Sequence, residues 1–315
     1  MKELSRYIRD YIFYKKIAYS KRHDWNIISP YAIGDTYFIC ALSEQILKHH
    51  GGARVNVITK KSHADIVELF SKNVSPIFLP NHFNWDLLKQ LTRFALGKPF
   101  VGNPYYLDPG LLSEKLGSEG CTILDLFRSN FSLPPSAPLL KPSAEEGSRC
   151  RAKALFQKMN LPIGKTAILA PGSNSFRMLP AELWIELSKE LQANGWKVCT
   201  NTINDEAPMS GTLALSYPLA EAIAIAELAG LVISARSGLC DLISSAKCKL
   251  HILYLKEPFQ AGTPYSAYSL KKMSLSQNAY EYEYNPDEGF QTLISEIINS
   301  VFSYNPTKQA MAGAS

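Results

Sequence analysis

The sequence predicts an α/β protein built on two parallel sheets, and three observations carry that expectation. A strand–helix alternation runs through the first 80 residues, a second one begins near residue 147, and a connector rich in proline and serine, SLPPSAPLLKPSAEEG (Ser132 to Gly147), separates them. Strands that alternate with helices imply parallel pairing, because a parallel strand is reached only through a crossover connection. The chain has 315 residues, of which 46% are hydrophobic, which suits two domains with a core each. The expected division is residues 1–140, with a basic leader over 1–22, then 141–303, with a disordered tail over 304–315.

The elements follow in order. WNIIS (Trp25 to Ser29) reads as a buried strand, PYAIGDT as a loop and TYFICALSEQILKHH as an amphipathic helix ending at Gly51 and Gly52. RVNVITK is a second strand, HADIVELFSK a helix and SPIFLP a third strand. The pattern then weakens, although WDLLKQLTRFAL has helical spacing and KPFVGN the look of a short strand. After the connector, SRCRAKALFQKMNL is a helix, KTAILAPGS a strand and its loop, and PAELWIELSKELQANG a helix capped by Gly195. WKVCTNT, LVISARSG and KLHILYL are strands, while PLAEAIAIAELAG, LCDLISSAK and GFQTLISEIINSVF are helices. In open parallel sheets ligands bind beyond the carboxyl ends of the strands, so a paired arrangement directs attention to the cleft between the halves.

Composition excludes several classes. Mean hydropathy is −0.08 and charged residues make up 19%, as in ordinary globular proteins. No apolar run approaches the roughly 20 residues that span a bilayer, and MKELSRYIRDYIFYKK is too charged for a signal peptide, so a cytoplasmic location is expected. The six cysteines show no C-x-x-C pair and no metal-ligand spacing with histidine, and read as reduced thiols. The net charge is +5, with basic residues clustered in the leader among aromatic and aliphatic ones. A solvated leading helix and a segment lying peripherally on the anionic inner face of the membrane are both consistent with it. No nucleic-acid-reading motif occurs.

Familiar nucleotide motifs fail. Gly164-Lys165-Thr166 has the GKT of a P-loop, but Met159 stands where its first glycine belongs, and the triplet precedes its strand. There is no G-x-G-x-x-G to support nicotinamide chemistry and no D-x-D to support a metal-clamped diphosphate, so neither metal nor cofactor is expected.

Three loops at strand ends remain. Ile33-Gly34-Asp35-Thr36 puts a carboxylate at a helix start, where it is either an N-cap or a general base facing the cleft. Ala170 to Pro180, APGSNSFRMLP, brings Ser173 and Arg177 to the end of a strand, where Arg177 is either a solvated loop residue or a fork for phosphate oxygens. Arg236-Ser237-Gly238, with Asp241 beyond, offers charge, a permissive backbone and a helix start to an anion. Alternatively, Arg236 and Asp241 form an ion pair that staples the turn.

Taken together, I-G-D-T before a helix, A-P-G-S with a basic residue before L-P-x-E-x-W, and A-E-L-A-G-L-V-I-S-x-x-S-G-L-x-x-L-I-S-S-A resemble the heptosyltransferases of glycosyltransferase family 9. The resemblance covers most of the chain and is closest from Ile163 to Leu255. It implies a GT-B fold, with two Rossmann-like domains facing across a cleft, the acceptor bound mainly by the N-terminal one and a nucleotide-sugar donor by the C-terminal one. It also implies metal-independent, inverting transfer to a glycan or lipid-linked acceptor in lipopolysaccharide or related surface polysaccharide synthesis.

By position, Asp35 matches the family's catalytic base. Arg177 stands where a lysine contacts the donor diphosphate, and Ser237 and Gly238 match the small pair beside the phosphates. Ser173 and Arg236 are assigned to the same diphosphate site, with Gly34, Thr36 and Asp241 as further candidates. The sequence departs from the family at Arg236, where an acidic residue is common, and at Asp241, where a histidine is common. That exchange argues against an ADP-heptose donor and leaves the sugar open. A nucleotide-sugar epimerase of the same fold and a catalytically silent binding protein for glycan or nucleotide are the alternatives.

Overall fold

A computed structural model describes residues 8–9, 11–12, 24–29, 32–70, 72–78, 100–101, 114–118, 120–203 and 206–303. The expected helix WDLLKQLTRFAL and the expected tail over 304–315 lie outside the described residues, as does most of the leader.

Two sheets, parallel throughout, organise the chain. The first has the order β3-β2-β1-β4, formed by Val74–Phe78, Val55–Thr59, Trp25–Ser29 and Phe100–Val101. Its central strands are buried at every position, which is why WNIIS and VNVIT read as apolar runs without alternation. Pro76 lacks a donor and is accommodated because β3 is an edge strand. Between these strands run α1 (Ile33–His50), a 3-10 turn at Lys61–His63 and the short α2 (Ala64–Glu68).

The second sheet has the order β10-β9-β8-β5-β6-β7. It follows α3 (Ile123–Asn130) and α4 (Glu146–Lys158). Its strands are β5 (Thr166–Ala170), β6 (Lys197–Asn201), β7 (Leu213–Leu215), β8 (Gly230–Ala235), β9 (Lys249–Leu255) and β10 (Tyr280–Tyr284). The helices between and beyond them are α5 (Ala181–Ala193), α6 (Ala222–Ala229), α7 (Gly238–Leu242), α8 (Pro264–Tyr268) and α9 (Gln291–Ser303).

The sequence periodicity does not announce β7 and β10. Both are edge strands; in YEYEY Glu283 is exposed, whereas Glu281 accepts from the Tyr254 and Ser269 hydroxyls and the Leu270 N–H.

Two apolar clusters cover the sheets. The larger runs through both halves, joining Tyr37, Phe38 and Leu42 of α1 to Leu239, Cys240 and Leu242 of α7. The smaller packs α5, through Leu183, Trp184, Leu187 and Leu191, and α9, through Leu293, Ile294, Ile297 and Val301, on the outer face of the second sheet. Each such aliphatic side chain stabilises the fold by about 1.5–3 kcal/mol on burial. Between α6 and β8 the chain reverses at Gly230, whose φ of +87° is left-handed and whose Cβ would lie 3.0 Å from the Gly164 Cα. That turn aims β8 at the site. Among the described residues no helix is long and apolar enough to cross a membrane.

Candidate active site

The site begins where β1 ends. The helix α1 starts at Ile33, three residues earlier than the sequence suggests, so Gly34 and Asp35 sit in its first turn instead of in a loop. Ala32 is the N-cap and offers no side-chain acceptor, which is why the boundary is hard to read. Asp35 is not the cap itself. From the third helical position its Oδ2 accepts the Ala32 N–H at 3.1 Å, so it closes the turn from inside the helix. The helix N-terminus favours a negative charge there.

Thr36 turns away from the cleft. Its hydroxyl meets Ser29 Oγ at 2.8 Å and His63 Nδ1 at 3.2 Å, and Thr59, which donates to the Ser29 carbonyl at 2.9 Å, lies 3.3 Å from the same nitrogen. This buried polar knot fixes the start of α1 to the ends of β1 and β2.

Burial, with a smaller effect of the Lys60 charge, pulls the His63 imidazole down to about 4. The unfolded chain protonates it near 6.5, so only the unfolded state takes up a proton between those values. Stability is therefore unaffected by His63 above pH 6.5 and falls by roughly 1–3 kcal/mol as pH drops towards 4. Urea unfolding of the wild type and of His63→Gln across that range isolates the effect: the variant should show the shallower slope. An identical slope would mean that His63 titrates normally in the folded protein.

From the second sheet, β8 delivers Arg236, Ser237 and Gly238. Arg236 and Asp241 are both buried, with 4% and 1% of their side chains exposed, and Nη2 donates to Oδ1 at 2.7 Å. Nε donates to the Tyr268 carbonyl at 3.0 Å, Nη1 donates to the Ser237 carbonyl, and the guanidinium lies 5.4 Å from the Tyr268 ring centre. Burial is the largest single influence and opposes the arginine's charge, but the Asp241 carboxylate, together with Tyr254 and Cys240, outweighs it and the guanidinium stays charged. On Asp241, burial pushes the carboxyl up, Arg236 offsets part of that, and the charge of Asp35 pushes the same way as burial. Arg236 thus faces the site as half of an ion pair. The helix behind it, α7, is only five residues long, so its contribution as a positive end is small.

The two halves meet backbone to backbone. A Cβ on Gly238 would lie 2.6 Å from the Gly34 nitrogen and 2.9 Å from the Ile33 Cβ, and one on Gly34 would lie 2.8 Å from Asp241 Oδ2. Only glycine permits this approach at Gly238. Above the contact opens a pocket of about 370 Å³. Gly34, Asp35, Arg236, Ser237, Gly238 and Asp241 line it, so residues from the two strand ends converge there.

Thr36, Ser173 and Arg177 do not line it. Ser173 Oγ donates to the Arg236 carbonyl at 3.0 Å and accepts the Phe176 N–H at 3.3 Å, tying its loop to the end of β8. Arg177 is 69% exposed, with Nε 3.9 Å from Glu257. The same loop instead presents Ser175 and Phe176 to the pocket, while Ala32, Phe38 and Tyr268 complete the wall. Phe176 and Tyr268 pack edge to face, with ring centres 5.2 Å apart, and Phe259 completes the cluster. Phe176 and Phe259 have no signal in the sequence that points to the site, although Phe176 sits beside Arg177 in the APGSNSFRMLP loop. Among the described residues no group of three or more His, Cys, Asp or Glu side chains is arranged to hold a metal ion.

No protein-family model and no curated protein matches the sequence. Solved structures do. The glycosyl transferase family 9 structure from Veillonella parvula DSM 2008 aligns over 89% of this chain and 89% of its own, at TM-score 0.57 and 14% identity. E. coli ADP-heptose lps heptosyltransferase II aligns over 82% of this chain and 90% of its own, at TM-score 0.58 and 15% identity. The chain has the GT-B fold. E. coli heptosyltransferase WaaC, solved with ADP, aligns over 89% of this chain and 99% of its own, at TM-score 0.54 and 15% identity. In this GT-B chain the pocket lies where the carboxyl ends of strands from both sheets meet, as expected for ligands of open parallel sheets.

Proposed function

We propose that the protein is a glycosyltransferase that moves a sugar from a nucleoside-diphosphate donor to a hydroxyl of a glycan or lipid-linked acceptor in bacterial surface polysaccharide synthesis. The observation that carries this reading is the pocket itself, in which a carboxylate on the first turn of α1 faces the Ser237–Gly238 turn of the other half. The GT-B fold, found in E. coli WaaC with ADP, supports it.

Asp35 takes the acceptor's proton as the hydroxyl oxygen attacks the anomeric carbon. The bond from that carbon to the diphosphate oxygen breaks, and its electron pair leaves with the nucleoside diphosphate. A single displacement from the opposite face inverts the anomeric centre. No metal is assigned: cationic side chains and backbone N–H groups take the developing charge. Residues up to about 140 hold the acceptor and residues 141–303 the donor.

Arg236 is engaged with Asp241, so the mobile cation for the diphosphate is Arg177. Its contact with Glu257 is long and exposed, and such pairs contribute only about 0–1 kcal/mol, so turning the guanidinium towards a diphosphate costs little.

The engagement of Arg236 also favours a second reading, a catalytically silent protein that keeps the cleft and binds glycan or nucleotide. A thermal-shift panel of ADP, GDP, UDP and CMP, without metal and then with Mg²⁺, separates the two when followed by product analysis with the conjugate of the base that binds. A ligand at about 100 times its Kd should add about 2.7 kcal/mol of stability. Arg177→Ala should abolish the shift while leaving the unliganded Tm unchanged. Binding without product supports the silent protein, and no shift with any nucleotide removes the donor site proposed here.

A further inference from the structure

The net charge of the chain resides entirely in its first 22 residues. Lys2, Arg6, Arg9, Lys15, Lys16, Lys21 and Arg22 stand against Glu3 and Asp10, which gives this segment +5. The remainder carries 26 basic and 26 acidic residues, so the whole-chain value of +5 is the segment's own. Within it, Ile8, Arg9, Tyr11 and Ile12 are helical. At that spacing Ile8, Tyr11 and Ile12 share one face, with Arg9 a quarter-turn round. Ile8 is 50% exposed, Tyr11 39% and Ile12 59%.

A helical stretch with β-branched and aromatic residues on one face and a cation beside them, in the segment that carries the net charge of an otherwise electroneutral chain, has the chemistry of an interfacial segment. Charge alone would suit any polyanion. Exposed isoleucines gain nothing from a hydrated polyanion but bury apolar surface at the boundary of headgroups and acyl chains. We propose that residues 1–22 dock the protein on a membrane surface rich in anionic lipid. The inference rests on the charge and the exposed face of this segment, not on the reading of the pocket.

Cosedimentation of the full chain with vesicles tests it. Vesicles of phosphatidylcholine with about 30% phosphatidylglycerol should retain the protein at 0.1 M salt, whereas pure phosphatidylcholine should not. Raising the salt to about 0.5 M should release most of it, because screening shortens the reach of surface charge. Lys15→Glu/Lys16→Glu takes the segment from +5 to +1 and should weaken binding about tenfold or more. Ile8→Ser/Ile12→Ser should weaken binding several-fold with charge intact. Both double variants alter exposed or leader positions, and an unchanged Tm confirms that each is folded. Equal retention on neutral vesicles, or wild-type binding by both double variants, overturns the proposal. So does retention that the charge variant loses but the isoleucine variant keeps in full, since that pattern belongs to a polyanion without an apolar phase.

Discussion

Asp35→Asn should lower turnover by about 10²–10⁴-fold while leaving the fold nearly intact. The two halves of that statement have different causes. Asparagine keeps a carbonyl oxygen where Asp35 Oδ2 accepts the Ala32 N–H, so the first turn of α1 stays closed. What it loses is a group able to accept a proton, together with the negative charge favoured at a helix start. The second loss costs about 0.3–1 kcal/mol of stability. Steady-state rates and thermal unfolding on the same preparation read the two separately, with KM for the donor close to wild type because the change is confined to proton transfer. Wild-type turnover in a folded Asp35→Asn protein would remove the residue from the mechanism.

Breaking the Arg236–Asp241 pair should have the largest effect on stability. Both partners are buried, and deleting one leaves the other charged without compensation, at a cost of about 3–5 kcal/mol. Arg236→Ala and Asp241→Ala should each lower Tm on the order of 10 °C. The double replacement Arg236→Met/Asp241→Leu should recover much of the loss, because it removes both charges and keeps apolar volume. Tyr268 supplies the control. Its backbone carbonyl accepts from Nε and no side-chain substitution removes it, so Tyr268→Leu keeps that bond, removes the ring's contacts with Arg236, Phe176 and Phe259, and should cost less than either single variant of the pair. If either single variant stays within about 1 kcal/mol of wild type, the pair contributes little to folding, and Arg236 becomes available again as an anion contact.

These contacts show where a sequence can and cannot be read. The apolar runs WNIIS, TAILA, LVIS and KLHILYL give the buried strands because strands covered on both faces have no room for polar alternation. Motif order also brings Gly34 and Asp35 to the same pocket as Ser237 and Gly238, since loops at carboxyl ends of parallel strands converge whatever their separation in the chain. Side-chain direction is another matter. Arg236 turns inward because Asp241 lies one helical turn on and the Tyr268 carbonyl waits on α8, a helix the sequence reading did not contain. Arg177 points outward while its neighbour Phe176 turns in, because two other rings, Phe259 and Tyr268, give the phenyl group an apolar site. The edges β7, only three residues long, and β10, which alternates tyrosine with glutamate, lack the apolar run that announces a central strand. The start of α1 is hidden by an alanine at its cap.

The contact between Gly34 and Gly238 also behaves as a mechanical stop. Main chain meets main chain there, and backbone has no rotamer to yield. The floor of the pocket therefore cannot rise to meet a smaller ligand; any adjustment has to come from the walls above, where Phe176 sits on a loop and Tyr268 at the end of α8. A methyl group added at residue 238 would act as a wedge at a fulcrum. The displacement it forces is smallest at the seam and grows with distance along each half, so the mouth of the cleft would gape further than the floor.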